Sequence, residues 1–136
     1  MQKLYIKRFE SFKKSLDNLL MAKNQDKNNI FVLSGTIMIF NLTFDISWKI
    51  IKEVLNDEFG IMDFPSGSPK ETLKKAASVE LIKSDIWLDM LDDRNNLSHD
   101  YDFAFAYEQY DKIIKQYIPV FEELKSKIDN YIGNRY

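Results

Sequence analysis

Ile30 to Phe59 reads IFVLSGTIMIFNLTFDISWKIIKEVLNDEF, and its apolar positions decide the fold. Leu33, Ile37, Phe40, Phe44, Trp48, Ile51 and Leu55 step by 4, 3, 4, 4, 3 and 4, the spacing that gathers side chains on one face of a 3.6-residue helix. Gly60 stands just past the last of them as a C-terminal cap. Ile30 to Leu33 alone would also suit a strand, but the pattern that runs on to Leu55 selects one long helix. Its uncharged part, Asn28 to Phe44, carries Ser34, Gly35, Thr36 and Asn41. That stretch is shorter than the roughly 20 mostly apolar residues that span a bilayer, so the expectation is a buried helix and no membrane association.

Upstream, Leu4, Phe9, Phe12, Leu16 and Leu19 recur at helical spacing, with Lys3, Lys7, Arg8, Lys13 and Lys14 on the other side. This predicts an amphipathic first helix, and its charges leave no apolar run for a secretory signal. The polar cluster Asn24 to Asn29 is the loop between the two. Downstream, Phe64-Pro65-Ser66-Gly67-Ser68-Pro69 reads as a connector. Ser68, Pro69 and Glu71 then supply an N-cap, a first-turn proline and a capping-box acid for a short helix with Leu73, Ala76 and Ala77 on its apolar face. Ser84 or Asp85 opens a fourth helix carrying Trp87, Leu88 and Leu91. After Asp102, Tyr107, Tyr110, Ile114, Tyr117, Phe121, Leu124, Ile128 and Tyr131 form the most regular stripe in the chain. Pro119 falls inside it and removes a hydrogen bond to the Lys115 carbonyl, which predicts a kink. The expected fold is all-α: an antiparallel up-and-down helical bundle, four-helix-bundle-like with five helices in total, forming a single domain over residues 1–136. The aromatic stripes suit a partner subunit as well as a core.

The 136 residues hold 19 basic and 21 acidic side chains, 19 − 21 = −2, with no Cys and one His. Absence of Cys excludes disulfide frameworks, thiol nucleophiles and thiolate zinc sites, and fits the cytoplasm. The near-balanced charge makes no global case for nucleic acid, although a local basic patch on a dimer remains open.

The one imidazole, His99, follows Arg94 in Arg94-Asn95-Asn96-Leu97-Ser98-His99-Asp100-Tyr101. Residues five apart lie about 140° round a straight helix. Arg94 and His99 can therefore share a volume only where the helix ends or distorts, and the weak helix formers Asn95, Asn96 and Ser98 place a terminus near Leu97 or Ser98. An imidazole that exchanges a proton near neutrality and a guanidinium that grips phosphate suit phosphodiester chemistry without a metal. On spacing alone, His99 pairs as readily with Asp92 or Asp93 in a structural role. The nearby Asp92, Asp93, Asp100 and Asp102 match no EF-hand or zinc motif. No phosphate-cradling glycine loop exists, and no cofactor or metal is expected. Asp45 reads as an i,i+4 ion-pair partner of Lys49.

This segment resembles the R-x4-H-x-Y motif of HEPN-domain proteins, the small helical partners of minimal nucleotidyltransferases. Phe40 to Lys49, Ser68-Pro69-Lys70-Glu71 and Trp87-Leu88-Asp89-Met90 are similar to the surrounding pattern of the branch called nucleotidyltransferase substrate-binding proteins, with coverage from about Phe9 to Leu124. The resemblance implies a homodimer with its Arg-His pairs in or beside a shared cleft. It implies a toxin-antitoxin pair in which the toxin-like subunit is a metal-independent endoribonuclease. His99 would be the acid/base on the ribose 2′-hydroxyl, Arg94 would stabilise the developing phosphorane charge, and Asn95 would help hold the loop. Asp45 stands as a supporting residue where the family more often has Glu, and the shorter carboxylate argues against its orienting a distant side chain. Tyr101 would receive AMP from the partner nucleotidyltransferase, blocking RNA by bulk and charge. The alternative is a non-catalytic subunit that holds a nucleotide or acceptor substrate for that partner, and a third is a helical scaffold that has lost its chemistry.

Overall fold

The structure is a computed structural model that describes residues 4–62, 68–96 and 102–135. Helix α1 covers Leu4–Met21 and ends in a 3-10 turn, Ala22–Asn24. The chain reverses where the Asp26 carboxylate accepts from the Asn28 amide at 2.9 Å, and the Asn29 side chain then caps the next helix through the Phe31 amide at 2.8 Å. Helix α2, Ile30–Phe59, is the expected long helix. Gly60 closes it at φ 67°, a left-handed conformation that costs glycine least, and the amides of Gly60 and Ile61 both turn back to the Leu55 carbonyl.

Helix α3, Pro69–Ser78, begins as the sequence implies, with the Ser68 hydroxyl accepting from the Glu71 amide at 3.3 Å. Helix α4 covers Ser84–Asn96. Asp102 caps α5, Phe103–Lys112, by accepting from the Phe105 amide at 2.8 Å. A π-turn, Ile113–Tyr117, joins α5 to α6, Ile118–Arg135, so the two make one continuous rod and the described chain has five rods.

Cross-contacts fix the directions. Arg8 meets Glu53 and Ser15 meets Thr43, so α1 and α2 are antiparallel. Lys127 reaches the Leu81 carbonyl at 2.9 Å, Trp87 packs on Phe121 and Tyr117 bonds Asp93, so α4 and the α5–α6 rod are antiparallel as well. The result is an up-and-down bundle around an aromatic centre in which Phe121 touches Phe12, Phe40 and Trp87. Among the described residues α2 is the one helix long and apolar enough to cross a membrane, yet its Leu33-to-Leu55 face is sunk in this core. The buried hydroxyls of Thr36, Thr43 and Ser47 are satisfied within α2 by the carbonyls of Val32, Ile39 and Phe44, so the helix buries few polar costs with them.

The regular stripe expected in the last rod needs one correction. Ile113 is buried and Ile114 is only half-buried, and beyond them Tyr117 and Ile118 are buried side by side. Pro119 is the physical reason. It offers no amide to the preceding turn, and the Ile118 amide instead bonds Ile113, five residues back. The interruption expected at Pro119 thus takes the form of a widened turn, which rotates the register by one residue.

Candidate functional site

The last turn of α4 lies against the middle of α2 and the π-turn, and two polar contacts define it. Arg94 donates from one terminal nitrogen to the Asp45 carboxylate at 3.1 Å and from the other to the Asn95 side-chain oxygen at 3.3 Å. The neighbouring Asp93 turns the other way, accepting the Tyr117 hydroxyl hydrogen bond and pairing with Lys112 at 3.0 Å. Consecutive residues on a helix point about 100° apart, so Asp93 anchors the turn inward while Arg94 faces out.

The partnership of Asp45 corrects the expectation of an i,i+4 pair. Among the described residues no ion pair joins Asp45 to Lys49, and the carboxylate meets a guanidinium 49 residues further along the chain. Helix crossing brings α4 close enough that even the shorter Asp side chain reaches. The Arg94 side chain is 41% exposed and that of Asp45 33%, so the pair is open to solvent. A guanidinium carries five N–H donors. With one directed to Asp45 and one to Asn95, the other three make no hydrogen bond among the described residues.

Of the residues singled out in the sequence, the structure brings Arg94, Asn95 and Asp45 together. His99 and Tyr101, with Leu97, Ser98 and Asp100, lie outside the described residues, as does the expected helix terminus near Leu97 or Ser98. No group of three or more metal-ligating side chains occurs among the described residues. Asp93, read as a structural partner for His99, is engaged by Tyr117 and Lys112.

Sequence reasoning missed the Asp93–Tyr117–Lys112 cluster. The available signal was Tyr117 itself: a tyrosine on a core stripe must find a partner for its hydroxyl. Burial first, and then its hydrogen bond to Asp93 and the charges of Asp93, Asp89 and Asp92, push the Tyr117 phenol well above its ordinary range. Burial likewise raises Tyr110 and Tyr131. The sign follows directly. A group whose folded pKa is raised contributes stability that is fully present below its unfolded pKa, near 10, and is lost as pH rises toward the folded value. Thermal midpoints are therefore expected to fall steeply above pH 10, and less steeply in Tyr117→Phe. Below pH 9 that variant should be about 2 kcal/mol less stable, the usual worth of a hydrogen bond to a charged group. Scans at pH 8, 10 and 11 check both parts.

No curated protein matches the chain. A crystal structure of a protein from Thermus thermophilus shares the fold with a TM-score of 0.75 at 23% identity, covering 85% of this chain and 97% of that one. Residues 7–130 match the family described as nucleotidyltransferase substrate binding protein like. That span takes in α2, the Asp45–Arg94 pair and the whole R-x4-H-x-Y segment, and on it the chain belongs to the nucleotidyltransferase substrate binding protein like family.

Proposed function

We propose that this protein is the substrate-binding subunit of a two-protein nucleotidyltransferase. It acts as a cytoplasmic homodimer that presents Arg94 to the phosphates of a nucleotide or nucleotide-bearing substrate, while a separate minimal nucleotidyltransferase performs the transfer. The observation that carries this reading is a part-exposed guanidinium held at two points: Asp45 and Asn95 each accept one of its hydrogen bonds, and its other three N–H donors are engaged by no hydrogen bond among the described residues. A planar fork held in this way suits bidentate phosphate recognition. Family membership supports the nucleotidyltransferase partner.

A second reading draws on the position of Arg94 at the end of α4, immediately before Asn95-Asn96-Leu97-Ser98-His99-Asp100-Tyr101. In it the subunit is a HEPN-type endoribonuclease. The ribose 2′-hydroxyl attacks the adjacent phosphorus and the 5′-oxygen leaves, with His99 moving the proton and Arg94 neutralising the phosphorane. The partner nucleotidyltransferase silences it when the Tyr101 phenolic oxygen attacks the α-phosphorus of ATP and pyrophosphate departs. Family membership favours the binding reading over this one.

Calorimetric titration with ATP, alone and with the partner enzyme, separates the two when run beside an RNA-cleavage assay and intact-mass measurement after co-expression. The binding reading expects ATP affinity to drop by roughly 10- to 100-fold in Arg94→Ala, the worth of a charge-assisted phosphate contact, with RNA left intact. RNA cleavage lost in His99→Ala, or a mass gain of one AMP lost in Tyr101→Phe, would establish the second reading. ATP binding that is indifferent to Arg94→Ala overturns the first.

A further inference from the structure

Helix α2 is apolar on both sides, and only one side is used. Phe31, Gly35, Met38, Leu42 and Asp45 step by 4, 3, 4 and 3, which aligns them along the edge opposite the Leu33-to-Leu55 core face. Phe31 is 83% exposed, Met38 68% and Leu42 55%. A helix that is apolar all round belongs inside a protein. Gly35 sharpens the point. Glycine within a helix is unfavourable relative to alanine, and a Cβ at Gly35 would meet nothing within 4 Å in this chain. Nothing inside the subunit requires the glycine. Beside it, Met21, Phe31, Val32, Gly35 and Ile39 line a shallow apolar hollow of about 310 Å³.

Resting on the homodimer reading above, we infer that the covering surface is α2 of a second copy, crossing antiparallel about a two-fold axis at Met38. The face is self-complementary in that arrangement and not in the parallel one. With Met38 against Met38, Leu42 of each copy comes within one residue, about 1.5 Å along the axis, of Gly35 of the other and fills its hollow, a bump over a gap made twice by symmetry. A parallel pair would set Gly35 on Gly35 and Leu42 on Leu42, leaving both hollows empty. The 3.5-residue spacing of the stripe is that of a helix–helix seam, and no Asp, Glu, Lys or Arg occurs from Asn28 to Phe44, so Asp45 at the edge of the stripe is its one charged residue, and it meets the seam already paired with Arg94. The same geometry sets the partner's Phe31 opposite Asp45, since the two lie equally far from Met38. Each Arg94–Asp45 pair is therefore walled on one side by an aromatic ring of the other subunit, and the site is complete only in the dimer.

Sedimentation tests the interface, and cross-linking tests its direction. Wild-type protein should sediment as a dimer at micromolar concentration, and Met38→Glu should weaken that dimer by at least about 100-fold, the usual order for a charge forced into an apolar seam, with an unchanged helical circular dichroism spectrum. The chain has no native Cys, so an oxidised mixture of Gly35→Cys and Leu42→Cys chains should give the mixed disulfide. Gly35→Cys alone should not link, because its two copies would lie about 9 Å apart along the axis. A wild-type dimer indifferent to Met38→Glu, or linking of Gly35→Cys to itself, overturns this interface and leaves the dimer reading standing. A monomer overturns both, including a monomer in which Met38→Glu instead abolishes binding of the nucleotidyltransferase. ATP affinity is measured separately, so loss of the nucleotide reading is distinguishable from loss of the interface.

Discussion

Phe121→Ala is expected to destabilise the protein by about 3–5 kcal/mol, the range for truncating a fully buried aromatic. Phe121 has no exposed surface and joins three separate helices: its ring lies 6.2 Å from Phe12 on α1, 6.1 Å from Phe40 on α2 and 5.8 Å from Trp87 on α4. Truncation leaves a cavity walled by rigid rings, which cannot collapse into it without breaking aromatic contacts with one another, so the cost belongs toward the upper end. Against a total stability of about 5–15 kcal/mol for a domain, much of the fold's margin is removed. Urea unfolding followed by tryptophan fluorescence would show the midpoint shift. A loss below about 1 kcal/mol would mean that the four rings are not the centre of the bundle. Phe103→Ala, on an exposed ring at the start of α5, serves as the control and should change stability little.

The same ring set shows how far the sequence could be read. Phe40, Phe44, Phe121 and Tyr117 were legible as core because each sits on a long periodic stripe, and periodicity reports burial directly. The caps at Ser68 and Gly60 were legible for a local reason too: each satisfies backbone groups within a few residues of itself. The Ile113/Ile114 exchange was not. It depends on where the backbone places the extra residue of a π-turn, and Pro119 only signals that the ladder must be interrupted nearby. The Asp45–Arg94 contact was hidden for a different reason. An i,i+4 partner can be seen along one helix, whereas a partner 49 residues away depends on how α2 and α4 cross, and no local rule contains that. The apolar edge of α2 was present in the sequence as Phe31, Met38 and Leu42, but a monomer's periodicity cannot separate a core face from an interface face. Only their exposure does.

Asp45 and Arg94 are expected to be coupled in ligand binding and nearly silent in stability. A solvent-open ion pair contributes about 0–1 kcal/mol to folding, so Asp45→Ala, Arg94→Ala and the double variant should unfold within a few degrees of wild type, and binding differences among them then report on the site itself. The sign of the Asp45→Ala effect distinguishes two physical roles. If the carboxylate acts mainly as a counter-charge, removing it leaves Arg94 more positive and anion binding tightens. If it acts mainly by orienting the guanidinium, removing it lets a flexible side chain lose its fixed fork, and nucleotide affinity falls. The geometry supports orientation: Arg94 is held at two points, by Asp45 at 3.1 Å and Asn95 at 3.3 Å. ATP affinity is therefore expected to decrease in the order wild type, Asp45→Asn, Asp45→Ala, because the amide oxygen of Asn keeps one acceptor in place. Arg94→Ala should fall lowest, and Asp45→Ala should cost nothing further in its background, a coupling that a double-mutant cycle measures as its non-additive term. Nucleotide binding that tightens on Asp45→Ala in both backgrounds would show that the carboxylate only repels the ligand, and Arg94 would then need another residue to aim it.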